Sequence, residues 1–304
     1  MARHNGSSRG SAEKDWVTLL SKGGPNPTLR CPCERHLGET SFTYSSPPEG
    51  ETRFDLGGQK YCRSFWRCGL CKHEFANHDI DLSGLYEGAY VEQTYGHRMS
   101  VIFNRILALP EEQSDNAGRV SRILDFAAKH FPHGYHPRLL DVGAGLGVFP
   151  LRMKEAGWDC TALDPDPQAG KHLKQTVGVR AVVGDFFEVR PNTLGRFDVI
   201  TLNKVIEHVE DPVSMLAKAT SLLEPNGLVY VEVPDVAAGV DGPQREEFFI
   251  EHHHVFSPAS LIMAVERAEL QPLAIERLRE PSGKYTLTVF AGGKKRVSGP
   301  FRCG

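Results

Sequence analysis

Apolar and polar positions along this chain follow two different periods, and the switch between them outlines a fold. Over residues 98–109 and 115–130 the apolar side chains fall at helical spacing, with Ile102, Phe103, Ile106 and Leu107 in the first segment and Val120, Ile123, Leu124, Phe126 and Ala127 in the second. Short apolar runs then recur at 139–142, 158–163, 179–183, 197–202 and 228–233. Runs of that length, apolar on both faces, read as parallel strands sandwiched between helical layers. A helix over 212–223 fits between the last two, starting at Pro212 and stopped by Pro225-Asn226-Gly227. Residues 272–278 and 284–291, joined by Pro281-Ser282-Gly283, predict two more strands, the last of them antiparallel. The pattern therefore predicts an α/β fold built on a doubly wound sheet of seven strands, with the two N-terminal helices over one sheet edge.

The first buried run ends in Asp141-Val142-Gly143-Ala144-Gly145-Leu146-Gly147. Alternate glycines let the backbone turn sharply and approach a ligand with no Cβ in the way, and a helix should start directly behind them. A dinucleotide loop would read Gly-x-Gly-x-x-Gly, but here the third glycine comes one place early and Val148 takes its slot. Asp141 at the loop's mouth repels phosphate and favours a cationic group. The next strand ends in Asp164, placed to accept hydrogen bonds from ribose hydroxyls, which nicotinamide and adenosyl ligands both need. The third ends in Gly184-Asp185-Phe186, a carboxylate for an exocyclic amine beside a ring that can stack on a purine. Asn203 closes the fourth strand at the edge where ligands of such sheets bind.

Five of the seven cysteines, Cys31, Cys33, Cys62, Cys68 and Cys71, crowd the first quarter of the chain around a strand-like hairpin region. In a reducing compartment such crowding points to metal rather than disulfides. Cys68 and Cys71 form a Cys-x-x-Cys knuckle suited to one tetrahedral structural zinc, with Cys31 and Cys33 as the other pair. Only one residue separates that other pair, so Cys62, His36 or His73 stand as alternatives for the fourth ligand. Downstream, Glu251-His252-His253-His254 lies in the loop after the fifth strand. Consecutive residues on extended chain point alternately and do not meet one ion easily, so Glu251 and His252 are read as a proton-transfer pair. Tyr86, Tyr90 and Tyr95 either line a lid over the ligand or pack in a linker helix.

The resulting division is a flexible segment over 1–28, with one short helical turn near 16–20, then a zinc-binding module over 29–82. A helical connector or lid covers 83–130, the main domain 131–293, and a flexible tail with Lys294-Lys295-Arg296 ends the chain at 294–304. With 304 residues, 40% of them hydrophobic, there is enough to bury a full core. A net charge of −3 sets up no field that would draw in nucleic acid or an anionic membrane, which leaves small molecules as the expected partners. No run of eighteen apolar residues occurs and residues 1–10 are polar, so the expectation is a soluble, cytoplasmic protein with no membrane insertion.

Together, the glycine loop from Leu140 to Gly147, Asp164, Gly184-Asp185-Phe186 and the stretch from Asn203 to Pro212 resemble the class I methyltransferases that use S-adenosylmethionine. The resemblance covers about residues 110–293 and implies a seven-stranded Rossmann-like methyltransferase sheet. It also implies roles: Asp141, Gly143, Ala144, Gly145 and Gly147 for the methionine part, Asp164 for the ribose, and Asp185 with Phe186 for the adenine. The cysteine-rich module, the tyrosine-bearing connector and Glu251-His252 further resemble bacterial methyltransferases that act on sugars, in which the Glu-His pair lies near the reacting atom. Some of those methylate carbon in nucleotide-linked keto-sugars and carry a further C-terminal domain, whereas this sequence stops at Gly304 soon after its last strand. The resemblance thus implies methyl transfer to a small polar acceptor, a sugar or glycan-type hydroxyl, with keto-sugar C-methylation as the alternative. From other classes, a nicotinamide oxidoreductase and a non-catalytic adenosyl-binding module compete with it.

Overall fold

A computed structural model describes residues 29–35, 37–51, 53, 58–78, 80 and 99–294. His36, the three connector tyrosines, the segment over 1–28 and the tail from 295 lie outside the described residues. The cysteine-rich segment forms three antiparallel strands, β1 (Gly38–Tyr44), β2 (Arg63–Cys68) and β3 (Glu74–Asn77). Two helices follow, α1 (Met99–Leu107) and α2 (Asp115–His130), the second started by the Ser114 side chain accepting from the Ala117 N–H at 3.2 Å.

Strand and helix then alternate: β4 (Arg138–Val142), α3 (Val148–Glu155), β5 (Asp159–Asp164), α4 (Pro167–His172), β6 (Arg180–Val183), the single turn α5 (Pro191–Leu194), β7 (Phe197–Asn203), α6 (Pro212–Ser221) and β8 (Leu223–Pro234). After a long loop come the two-residue β9 (His254–Val255), α7 (Pro258–Arg267), β10 (Leu270–Arg279) and β11 (Tyr285–Gly293). The main sheet has the order β10-β11-β8-β7-β4-β5-β6. Strands β4 to β8 run parallel, and β11 runs antiparallel to both of its neighbours. Winding goes outward from β4 in both directions, so the carboxyl ends of β4 and β7 flank the crevice where the order reverses.

Apolar residues on the two faces of the sheet make two separate cores. Leu140, Ile200, Leu202, Val229 and Val231 pack under α6 and α7. Leu139, Cys160, Val199 and Tyr230 pack under Phe103, Ile123, Ala127 and Met153 of α1, α2 and α3. The two N-terminal helices thus cover a face of the sheet, not the edge expected from sequence, because their apolar stripes match the pleat side that α6 and α7 leave bare. Where α2 meets the last strand, Phe126 stacks on Phe290 with centroids 3.9 Å apart. Deeper in, Arg119 of α2 grips the fully buried Glu232 of β8 with two bonds of 2.7 Å. No helix among the described residues is long and apolar enough to cross a membrane.

The cysteine-rich sheet is fastened to the main domain rather than tethered beside it. Strand β9 adds to β3 as a fourth antiparallel strand. The hydroxyl of Ser257, which also caps α7, donates to the Cys71 carbonyl. His73 hydrogen-bonds His254 at 3.0 Å and Ser260 at 3.1 Å, and Arg63 pairs with Glu51, which also accepts from the Ile250 N–H.

Candidate active site at the strand tips

The glycine loop leaves β4 with Gly143, Gly145 and Gly147 all at positive φ (68°, 50° and 74°), a region costly for any residue with a Cβ. Their uses differ. A Cβ on Gly147 would lie 2.6 Å from Leu173 Cδ2, so this glycine lets the start of α3 pack closely, whereas a Cβ on Gly145 would meet nothing within 4 Å among the described residues. Gly145 therefore offers bare backbone to open space at the crevice. Its N–H donates to Asp164 Oδ2 at 2.8 Å, and the other carboxylate oxygen accepts from the Asp166 N–H at 3.0 Å, which ties the tip of β5 to the loop.

Asp141 is 2% exposed and accepts from the Thr201 hydroxyl at 2.7 Å and the Asn203 amide at 2.9 Å. Burial pushes its carboxyl up to about 7, with the hydrogen bonds from Thr201 and Asn203 opposing. Asn203, having given its N–H to Asp141, keeps a buried Oδ1 with no partner among the described residues. Asp141, Asp164 and Asp185 stand at or just past the ends of three adjacent strands, and Gly184 N–H donates to the Asp164 carbonyl at 3.1 Å. Asp185 is exposed and accepts from the Phe187 N–H at 2.9 Å. Phe186 corrects the sequence reading: at 3% exposure it belongs to the core with Val142, Leu163 and Leu194, so its ring is not free to stack on a ligand. The exposed ring at this tip is Phe187. Apolar packing beneath the loop, which the local sequence does not encode, decided which of the two adjacent rings turned inward.

The three consecutive histidines go to three different places, because the chain bends at His253 before strand β9 begins at His254. His254 joins His73 under the cysteine-rich sheet. His253 holds the backbone crossing, its N–H donating to the Glu207 carbonyl and its carbonyl accepting from Ala76. His252 turns to the other side, its ring centroid 4.8 Å from that of His208. His252 Nδ1 lies 3.0 Å from the Glu247 carbonyl and His208 Nδ1 lies 2.9 Å from the Glu251 carbonyl. A carbonyl only accepts, so in both rings Nδ1 carries the proton and Nε2 the lone pair. Burial holds His252 well below the usual imidazole range and raises Glu251 to about 7. Glu207, which directly precedes His208, is fully buried, and among the described residues neither of its oxygens has a hydrogen-bond partner. Burial raises it to about 8. Glu207 and His208 sat inside the motif read from sequence, yet only Asn203 received a role there; an adjacent Glu-His directly after a strand tip was the available signal.

The sulfurs of Cys31, Cys33, Cys68 and Cys71 converge, with Cys31 3.0 Å from Cys71 and 3.3 Å from Cys33, and Cys33 3.5 Å from Cys68. Cys62 is exposed and outside this group, and His73 is spent on His254 and Ser260, so among the described residues four cysteines make up the set.

Comparison with known proteins fits this geometry. A family described as a methyltransferase domain matches residues 109–275, more than half of the chain. A ubiquinone biosynthesis O-methyltransferase of Xanthomonas campestris pv. campestris (strain B100) is 32% identical over 99 residues, 31% of this chain and 41% of that protein. The enzyme of the same name from Vibrio cholerae serotype O1 is 28% identical over 159 residues, 46% of this chain and 64% of that one. The chain thus spans less than two thirds of the length of these curated relatives. The crystal structure of magnesium protoporphyrin IX methyltransferase from Synechocystis PCC 6803 with bound SAH overlays at a TM-score of 0.51 with 11% identity, covering 68% of this chain and all of that one, a likeness of fold. With the strand order, the glycine loop and the acidic strand tips of the class I sheet all present, the match over residues 109–275 leads to one conclusion: the chain belongs to the methyltransferase domain family.

Proposed function

We propose that the protein transfers the methyl group of S-adenosylmethionine to an oxygen of a small polar acceptor, a sugar or glycan-type hydroxyl. The observation that carries this reading is the half-finished ring of acceptors at the crevice: Asp141 buried beside Asn203, whose Oδ1 lacks a donor, and Asp164 bonded to a Gly145 that has open space above it. A ligand carrying an ammonium, a ribose and a purine fits that donor set: Asp141 and the backbone of Gly143, Ala144 and Gly145 for the methionine part, Asp164 for the ribose, Asp185 for the adenine amine, with Phe187 in the stacking role first given to Phe186. When bound, S-adenosylmethionine contributes an electrophilic methyl on a sulfonium. The chain contributes orientation and a route for the acceptor's proton, and the lone-pair cluster of Glu207, His208 and His252, backed by Glu251, serves that route. Orientation is worth roughly 7–11 kcal/mol of barrier and a positioned proton acceptor about 10²–10⁴ in rate, so holding the reactants outweighs the base.

The names of the curated relatives favour oxygen as the accepting atom. Keto-sugar C-methylation stands second, on the Glu251-His252 pair alone. A structural zinc on Cys31, Cys33, Cys68 and Cys71 completes the reading, since four thiolates with no open position make a closed site. Calorimetric titration with S-adenosylmethionine and with NADH, followed by mass spectrometry of candidate hydroxyl acceptors for the gain of one methyl, tests it. Binding of NADH in place of S-adenosylmethionine would overturn it.

A further inference from the structure

We infer that Glu207, His208 and His252 hold a divalent transition-metal ion at the acceptor side of the crevice. Their ligand atoms all lie within 4.8 Å of one another. The site is built, not incidental. Glu207 follows β7, three residues past the Lys204 N–H that bonds the Glu232 carbonyl of β8, and the His253 N–H donates to the Glu207 carbonyl at 2.8 Å. That crossing brings His252 over the carboxylate from a different part of the chain. Two backbone carbonyls then hold both imidazoles with Nε2 as the lone-pair atom. Carbonyls orienting the remote nitrogen of metal-binding histidines are the usual outer support of such sites.

Three lone-pair groups thus meet, the carboxylate buried and the two rings half-buried, and among the described residues Glu207 is left with two oxygens that accept no hydrogen bond. Direct proton sharing does not explain the arrangement, because neither oxygen hydrogen-bonds either ring. Lys204 is close enough to act on Glu207 through its charge, but its ammonium donates to the Thr286 hydroxyl at 2.6 Å and leaves both carboxylate oxygens without a hydrogen bond among the described residues. Ligand atoms about 2.0–2.2 Å from a common ion stand roughly 3.4 Å apart in tetrahedral geometry, beyond ordinary hydrogen-bond length and inside the observed spacing. Two imidazoles and one carboxylate leave positions for an acceptor oxygen, and an ion there lowers the pKa of a bound hydroxyl. The inference rests on the acceptor lying at this end of the crevice, and it makes the ion, with His252 as ligand, the group that acts on the acceptor oxygen.

Manganese(II) separates this site from the cysteine set, because carboxylate and imidazole take Mn²⁺ while thiolates favour zinc. The full chain is dialysed against EDTA and titrated with Mn²⁺, the free ion being followed by electron paramagnetic resonance. One Mn²⁺ per chain is expected, with affinity at least tenfold weaker in Glu207→Gln and in His252→Asn, whose circular dichroism reports folding. Two variants from separate segments keep the result independent of either one misfolding. Absence of Mn²⁺ binding to the wild-type chain at millimolar ion, or binding unchanged in both folded variants, overturns the site. A chain that binds S-adenosylmethionine but no Mn²⁺ overturns the ion and leaves methyl transfer standing; one that binds Mn²⁺ but not S-adenosylmethionine upholds the ion and removes the methyltransferase reading.

Discussion

At the residue scale, Asp141 is the buried carboxylate proposed to face the cationic end of the cofactor. Burial pushes its carboxyl up to about 7, so it should be mostly protonated at pH 6 and mostly ionised at pH 8. A cationic ligand favours the ionised form, so affinity for S-adenosylmethionine should rise by up to about tenfold between those pH values. Calorimetry across that range checks this, and Asp141→Asn should flatten the dependence. Asp164 and His252 should separate cleanly. Asp164→Asn, which removes the acceptor proposed for the ribose, should raise the dissociation constant for S-adenosylmethionine, whereas His252→Ala should leave it nearly unchanged and slow turnover roughly 10²–10⁴-fold. Steady-state kinetics on the identified acceptor measures the split. Of these residues, the carboxylates were legible in the chain because each ends an apolar run. The burial of Phe186 and the exposure of Phe187 were not, since two adjacent aromatic rings after a strand read alike until the core beneath takes one of them.

At the scale of elements, the alternation of β4 to β8 with helices could be read directly, because parallel strands covered on both sides must be continuously apolar. Strand β9 could not be read: two residues carry no period, and it exists only because β3 offers an edge. The same holds for the link between α2 and β8. Arg119 looks like a solvent-facing residue of an amphipathic helix, yet it is the partner of a carboxylate that is 0% exposed. Arg119→Ala removes the only bidentate partner of Glu232 among the described residues, leaving Tyr230, the charge of Lys204 and Arg122 at 3.9 Å, and should destabilise the fold by roughly 3–5 kcal/mol in urea unfolding. A much smaller loss would mean that Arg122 takes over the pairing.

At the scale of the whole molecule, the cysteine-rich sheet and the main domain share β9, the Ser257–Cys71 bond and the His73–His254 pair. Loss of the thiolate site should therefore be felt in the domain it abuts, not only locally. With the proposed zinc in place, Cys71→Ser should abolish its retention and lower the main thermal transition by about 5–10 °C, read by metal analysis and calorimetry. A separate early transition with the main one unmoved would instead mean that the two units melt independently.

The linear sequence by itself determined the layered α/β sheet, the glycine loop and the acidic strand tips, because each rests on local rules: apolar runs for buried strands, positive φ for glycine, carboxylates at strand ends. Only the tertiary structure decided between the alternatives for the fourth member of the cysteine set, which phenylalanine is buried, and that Glu207, His208 and His252 face one another. These depend on the segment after β8 folding back between β3 and the turn after β7, a crossing of residues some 45 positions apart that no local period records.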